Sequence, residues 1–272
     1  MSPASRTNKK ISEYSLSIVT GGSSGIGKTV IERILKVESG SRICNISRTK
    51  PPLFFNDTNT QHLECDLSSR KDRATALSRL LNLLNDEEDK GPILLVNNAG
   101  FGLYDTVSAK PSSEHLELLE VNIAALVDIT VTLLPILKKR GGSIINIAST
   151  SAFQATPYLA SYGASKSFVL NWTLALNEEF RNTNINALAV CPGPTRTNFF
   201  RRAGLTQRVI PDGYSSSSEE VVEATFKALA KGKSLVTTGL KSKLVSAFSS
   251  RLPKTLGTRL AGKIINKYRP AK

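Results

Sequence analysis

Short runs of β-branched and aliphatic residues recur along this chain, separated by helical patterns, and no other feature restricts its fold as much. Ser17–Thr20, Arg42–Ile46, His62–Cys65, Ile93–Val96, Ser143–Ala148, Ile185–Val190 and Leu235–Thr238 read as strands. Helices are expected over Gly25–Val37, Ser69–Leu84, Ser113–Leu137 and Tyr158–Phe180. Another begins near Ser217, where Glu220 completes a capping box. Strands this short, alternating with helices, predict an α/β fold: a doubly wound parallel sheet with helices on both faces. Pro51-Pro52 and the Ser215–Ser218 run read as loops inside one domain, with no repeat and no linker. Residues 1–272 are therefore expected to form a single domain, with 1–13 a flexible N-terminus and 240–272 a basic amphipathic extension.

The stretch Thr20-Gly21-Gly22-Ser23-Ser24-Gly25-Ile26-Gly27 joins the first strand to the first helix. Glycines there allow a tight turn and a close backbone approach to a pyrophosphate, which the helix N–H groups then face. A plain strand-to-helix turn also uses glycine, but the position after the first strand favours dinucleotide binding. Gly21, Ser23, Ser24, Gly25, Ile26 and Gly27 are the candidates for that contact. The second strand runs into Ser47-Arg48-Thr49-Lys50, with no carboxylate before Asp57. A carboxylate repels a ribose 2′-phosphate and a guanidinium clamps it, so NADP(H) is expected, with Arg48 as the clamp and Ser47 assisting. A solvated loop charge is the alternative for Arg48. The turn also fits Gly-x-Ser-x-Gly, the nucleophile elbow of hydrolases. That reading needs a late histidine, whereas His115 starts a helix in mid-chain, and it leaves the pair described next without work.

Tyr162 and Lys166 stand four apart on an expected helix and so share a face, with Ser149 thirteen residues before the tyrosine. A free phenol titrates near pH ~10, and acid/base work at neutrality needs a drop of roughly 3 units, or about 4 kcal/mol. An ammonium at ~4 Å in an effective dielectric of ~20 supplies about that much. The pair is a candidate acid/base if a cofactor and a substrate are brought to it.

Together these pieces resemble the short-chain dehydrogenase/reductase family over about Leu16 to Phe200. The glycine turn has the family spacing. Asp66-Leu67 is similar to the adenine-contacting acid and its neighbour, and Asn97-Asn98-Ala99-Gly100 to the motif ending the central strand. Asn122 falls where the family keeps a catalytic asparagine, and Ser149, Tyr162 and Lys166 complete the tetrad. Pro192-Gly193-Pro194-Thr195-Arg196-Thr197 resembles the loop that packs on the nicotinamide. Ala148 departs from the second serine of many members. Asn97–Gly102 and the basic end around Arg251-Leu252-Pro253 look closer to a branch that includes long-chain 3-oxoacyl reductases and uncharacterised bacterial oxidoreductases. The resemblance implies a single-domain Rossmann fold and hydride transfer between NADP(H) and a carbonyl or alcohol carbon. In it, Tyr162 is the proton donor, Lys166 favours tyrosinate and holds the cofactor ribose, Ser149 stabilises the substrate oxygen, and Asn122 holds a relay water. It extends the cofactor contacts to Asn98, Ala99, Gly100, Pro192, Gly193, Thr195 and Thr197, and implies a homodimer or homotetramer. A non-catalytic NADP(H)-binding regulator on the same fold is the alternative, although such proteins commonly lose the Tyr/Lys pair. Phe199, Phe200 and Arg201 follow the nicotinamide loop, as a substrate site for an apolar body with an anionic end or as an amphipathic lid helix.

The remaining features bound the setting. Cys44, Cys65 and Cys191 are widely spaced in apolar runs, as expected of free thiols in a reducing compartment. No metal site is expected, because His62 and His115 have no ligand neighbour at metal spacing. Leu16–Val19 is too short for a signal-peptide core. Val121–Leu137 contains Asn122, Asp128 and Pro135 and reads as a buried helix rather than a membrane span. A cytoplasmic protein is expected. The net charge of +14 is concentrated late, because Glu223 is the last acidic residue and twelve lysines and arginines follow it. In the tail Leu256, Leu260, Ile264 and Tyr268 recur every four residues among Lys254, Arg259, Lys263 and Lys267, a basic amphipathic helix. It either attaches peripherally to a membrane or packs its apolar stripe on the core or another subunit. Nucleic-acid binding is not expected, for the tail has one aromatic near its end and no recognised binding motif.

Overall fold

The computed structural model describes residues 11–37, 42–51, 59–86, 90–204, 215–249 and 251–266. Seven strands form one parallel sheet: β1 (Leu16–Thr20), β2 (Arg42–Ser47), β3 (Thr60–Glu64), β4 (Ile93–Asn97), β5 (Gly142–Ile147), β6 (Ile185–Pro192) and β7 (Leu235–Thr238). Their order is β3-β2-β1-β4-β5-β6-β7, so the chain reverses direction across the sheet between β1 and β4. In an open parallel sheet such a reversal leaves a crevice beyond the carboxyl ends of the strands, where ligands bind.

The helices that matter for the crevice are α1 (Gly25–Val37), α2 (Arg70–Asp86), α3 (Ser112–Leu119), α4 (Ala125–Arg140) and α5 (Ala160–Glu179). A four-residue α6 (Phe199–Arg202), then α7 (Ser218–Leu229), α8 (Leu240–Ser249) and α9 (Lys254–Asn266) follow. Alternation along a strand feeds both faces of the sheet. From β4, Ile93 and Leu95 pack with Leu80, Ile129 and Leu133 of α2 and α4, whereas Leu94 and Val96 pack with Val30, Ile31 and Val222 of α1 and α7. The capping box expected at α7 is present, with the Ser217 hydroxyl accepting from the Glu220 N–H and the Glu220 carboxylate accepting from the Ser217 N–H.

The expected long helix is interrupted by a π turn at Glu120–Ala124, between α3 and α4. By length and composition alone, Ser112–Arg140 would suffice to cross a membrane. Here Leu118, Leu126, Ile129, Leu133 and Leu137 are buried against the rest of the protein, as the reading of a core helix anticipated.

Of the expected flexible N-terminus, Ile11–Glu13 form a single turn, and the residues before them lie outside those described. Among the described residues the tail contains two helices, α8 and α9. In α9 the face against the protein is not the Leu256, Leu260, Ile264 stripe. Gly257 and Ala261 are buried and Ile265 packs near Tyr104 and Ala203, while the three stripe residues stay exposed. Tyr268, the fourth member of the stripe, lies outside the described residues.

Candidate active site

At the reversal point the chain from β1 enters its glycine turn. Gly21 has φ +68° and Gly25 φ +56°, backbone conformations that favour glycine. The turn is pressed onto its surroundings. The Gly22 N–H donates to Asn45 Oδ1 at 2.8 Å, and a Cβ on Gly22 would collide with that oxygen and with Ile31 Cδ1. Asn98, at the end of β4, clasps the other side. Its Nδ2 donates to the carbonyls of Thr20 and Gly21 at 3.0 and 3.1 Å, and the Thr20 hydroxyl accepts from the N–H groups of Asn98 and Ala99 at 3.0 Å. The turn and the α1 N-terminus therefore form a fixed rim of backbone.

That rim is one end of a cavity of about 670 Å³. Every residue nominated from sequence lines it except Gly27, Asn122 and Arg201, with Arg202 lining it in place of its neighbour. Gly27 lies one layer behind, where a Cβ would crowd the Gly21 carbonyl oxygen and Asn98 Nδ2. Beside the rim stand Ser47, Arg48 and Asp66. Burial pushes the Asp66 carboxyl up, but the N–H and hydroxyl of Ser68 and the charge of Arg48 together hold it below its usual range.

At the other end the strands supply the chemistry. Ser149, just beyond β5, caps a short turn by accepting from the Ser151 N–H at 3.1 Å and hydrogen-bonds the Tyr162 phenol. One helical turn on, Lys166 is buried beneath them, with Nζ 5.8 Å from the centre of the Tyr162 ring and donating to the Ile147 carbonyl at 2.8 Å. The expected acidification of the phenol is absent in this structure. Burial pushes Tyr162 up to about 12 against the Ser149 hydrogen bond, and burial likewise lowers Lys166 to about 8. Desolvation is the largest influence on both groups. Cys191, on β6 beside this pair, is held up at about 12 by burial and is a structural thiol.

Asn122 is buried in the π turn, a distortion frequent at functional sites. Its Oδ1 accepts from the Phe101 N–H at 3.0 Å, and its Nδ2 donates to the Phe101 carbonyl and to Ser165 Oγ at 3.1 and 3.0 Å. Both amide hydrogens are thereby committed to fixing the strand-end loop against α5. The Ser165 hydroxyl in turn donates to the Tyr162 carbonyl at 2.7 Å. The end beside Tyr162 is walled by Phe101, Tyr104, Leu159, Phe199 and Phe200, with Ile264 and Ile265 of α9. Phe199 packs on Tyr162 with ring centres 5.1 Å apart.

Sequence reading missed two residues here. Arg73 sits in a charged Arg-Lys-Asp-Arg run that looks solvated, yet it is buried. Its guanidinium donates to the Leu67 carbonyl at 2.7 Å, Glu120 at 3.0 Å and Asp128 at 3.1 Å, tying the adenine-side loop to the Asn122 turn. Ile265 lies beside the amphipathic stripe of the tail, and its carbonyl accepts from Tyr104 Oη at 3.0 Å. No sequence periodicity announces a backbone carbonyl as a partner.

Comparison with known proteins places this geometry among relatives. A family model described as short chain dehydrogenase matches residues 16–208. A 3-amino-tetrahydro-pyrrolizinone reductase of Xenorhabdus hominickii is 24% identical over 88% of this chain and 84% of its own length. The ketoacyl reductase HetN of Nostoc sp. is 31% identical over 65% of this chain, which spans 62% of that relative. Among solved structures, a short chain dehydrogenase from Burkholderia cenocepacia in complex with NADP has a TM-score of 0.77 and 26% identity, covering 93% of this chain and 99% of that one. A short-chain dehydrogenase from Sphingobium yanoikuyae in complex with NADPH has a TM-score of 0.73 and 26% identity, covering 87% and 93%.

Proposed function

The chain belongs to the short chain dehydrogenase family, a family of nicotinamide-dependent oxidoreductases, and from that premise we propose that it reduces the carbonyl of an apolar small molecule with NADPH, Tyr162 being the proton donor. The observation that carries this reading is the meeting of Ser149, Tyr162 and Lys166 on the wall of the cavity whose other end is the glycine rim. The rim fits a dinucleotide: a closely packed glycine turn presents helix N–H groups, and the cavity runs unbroken from it to the phenol. When bound, that cofactor supplies the hydride.

The chain's own residues handle the oxygen and the proton. The Ser149 and Tyr162 hydroxyls interact with each other, and a carbonyl oxygen received between them would replace that contact and take both O–H groups as donors. A phenol raised to about 12 holds its proton at neutral pH but is a weaker donor than a free phenol, so its work as a proton donor depends on the positive charge of Lys166 beside it. Lys166 keeps its charge below about pH 8 and stabilises the negative charge left on the phenol. Asn122 positions Phe101 and α5 rather than touching the reacting atoms.

Two observations support NADPH over NADH. Arg48 and Ser47 stand at the cofactor end with no carboxylate on β2, and the Burkholderia and Sphingobium relatives are described with NADP and NADPH. The aromatic and aliphatic walls favour an apolar substrate, and Arg202 offers its anionic end a partner. The test is NADPH consumption against 3-oxoacyl thioesters, steroid ketones, quinones, sugars and aromatic aldehydes. On a substrate so found, Tyr162→Phe is expected to cut kcat/KM at least about a hundredfold with NADPH affinity unchanged. Equal activity of the two proteins would remove Tyr162 from the mechanism. NADPH binding without turnover on any compound would favour the non-catalytic regulator.

A further inference from the structure

Among the described residues eleven large hydrophobic side chains are exposed, and six of them belong to α8 and α9: Leu244, Val245, Phe248, Leu256, Leu260 and Ile264. Surface hydrophobics scattered singly need no explanation, but six on two consecutive short helices do. These are not half-docked core residues. Leu244 and Phe248 are 73% and 65% exposed and one turn apart. In α9 the protein is met through Gly257, Ala261 and Ile265, and the row Leu256, Leu260, Ile264 is left outside.

The charge around them selects an occupant. From Leu240 to Asn266 the chain carries Lys241, Lys243, Arg251, Lys254, Arg259 and Lys263 and no acidic residue. A second copy pairing through the same surface would bring like charge against like charge. Nucleic acid would meet the cations and leave the leucines uncovered. An anionic bilayer satisfies both sets, because headgroups attract lysine and arginine while the acyl boundary takes in Leu, Val and Phe. Location supplies the second argument. Ile264 and Ile265 line the substrate end of the cavity, and the Tyr104 hydroxyl ties its wall to the Ile265 carbonyl at 3.0 Å.

We propose that α8 and α9 form a docking surface for an anionic lipid bilayer, setting the substrate end of the cavity against the membrane so that a membrane-borne apolar ketone enters from it. Docking itself does not rest on the oxidoreductase reading; only the source of the substrate does.

The experiment is co-sedimentation of the full chain with phosphatidylcholine vesicles, with and without phosphatidylglycerol. Binding to the anionic vesicles is expected to exceed binding to the neutral ones by at least about tenfold and to fall with salt. Leu244→Asp/Phe248→Asp and, separately, Lys243→Glu/Arg259→Glu are expected to lower it at least about fivefold. Thermal unfolding and NADPH binding should stay unchanged in both. Should the aspartate pair disturb folding, the charge-reversed pair decides. Equal partition of wild type on both vesicles, or folded variants that bind like wild type, overturns the proposal. So does light scattering in which the variants dissociate a dimer while the wild type ignores vesicles, which assigns the surface to a second copy. Because sedimentation needs no turnover, a failed carbonyl panel leaves this result standing.

Discussion

Burial moves the two central side chains in opposite directions, and each leaves a pH signature. Lys166 titrates near 8 in the fold and near 10.5 when unfolded. Below pH 8 both states are charged and the fold bears the cost of a desolvated ammonium. Between 8 and 10.5 the unfolded state keeps the extra proton, so this contribution to stability rises with pH. Tyr162 and Cys191, both raised to about 12, act the other way above their unfolded values of 10 and 9. Comparing wild type with Lys166→Met cancels those groups. The stability of the methionine variant relative to wild type should be highest below pH 8 and decline toward pH 10.5, by on the order of 3 kcal/mol at most. Urea midpoints across that range measure it, and a pH-independent difference would show that Lys166 is not perturbed. Arg48 predicts a change in preference rather than stability: Arg48→Glu should move the NADPH-to-NADH ratio of kcat/KM toward NADH by at least about tenfold. An unchanged ratio would return Arg48 to a solvated loop charge. The tyrosine, lysine, serine and glycines of the site were legible because their spacing carries the chemistry. The direction of the phenol shift was not, since it depends on how much water the fold removes.

At the scale of elements, the Asn122 turn owes its place to contacts between helices far apart in the chain. Arg73 reaches from α2 to Glu120 of the π turn and Asp128 of α4, and it also holds the Leu67 carbonyl. Glu120 and Asp128 are partly solvated, so the ion pairs are worth little beside the buried hydrogen bond to Leu67. Arg73→Met, which keeps the stem, should cost about 1–3 kcal/mol in urea unfolding, nearly the same at low and high salt. A loss that vanishes in high salt would instead assign the effect to the carboxylates. The helix from Ser113 could be read from its apolar pattern, but its π interruption could not, because one extra residue per turn leaves no compositional mark. The tail shows a similar limit. A four-residue period revealed an amphipathic helix, yet α9 docks through small residues beside that stripe, where Gly262 lies against Pro157 and a longer side chain would hold the helix away.

For the molecule as a whole, the inner strands β1, β2, β4, β5 and β6 were legible because strands buried on both faces read as largely apolar runs, whereas the less buried edge strand β3 begins at Thr60, ahead of the His62 that the sequence suggested. The order of the strands was not legible, since adjacency in a sheet is a long-range property that no local pattern encodes. That order places β1, buried along its whole length, between β2 and β4, although β4 starts only at Ile93. Synthesis therefore has a vulnerable interval. Once the first three strands have emerged they can pair with one another, but the far side of β1 stays an open edge until the fourth is made. A ribosome that stalls in this interval releases a small sheet with its most apolar strand unguarded, a template for aggregation. The reversal that opens a crevice for a ligand in the finished protein is, during translation, a seam waiting for its partner.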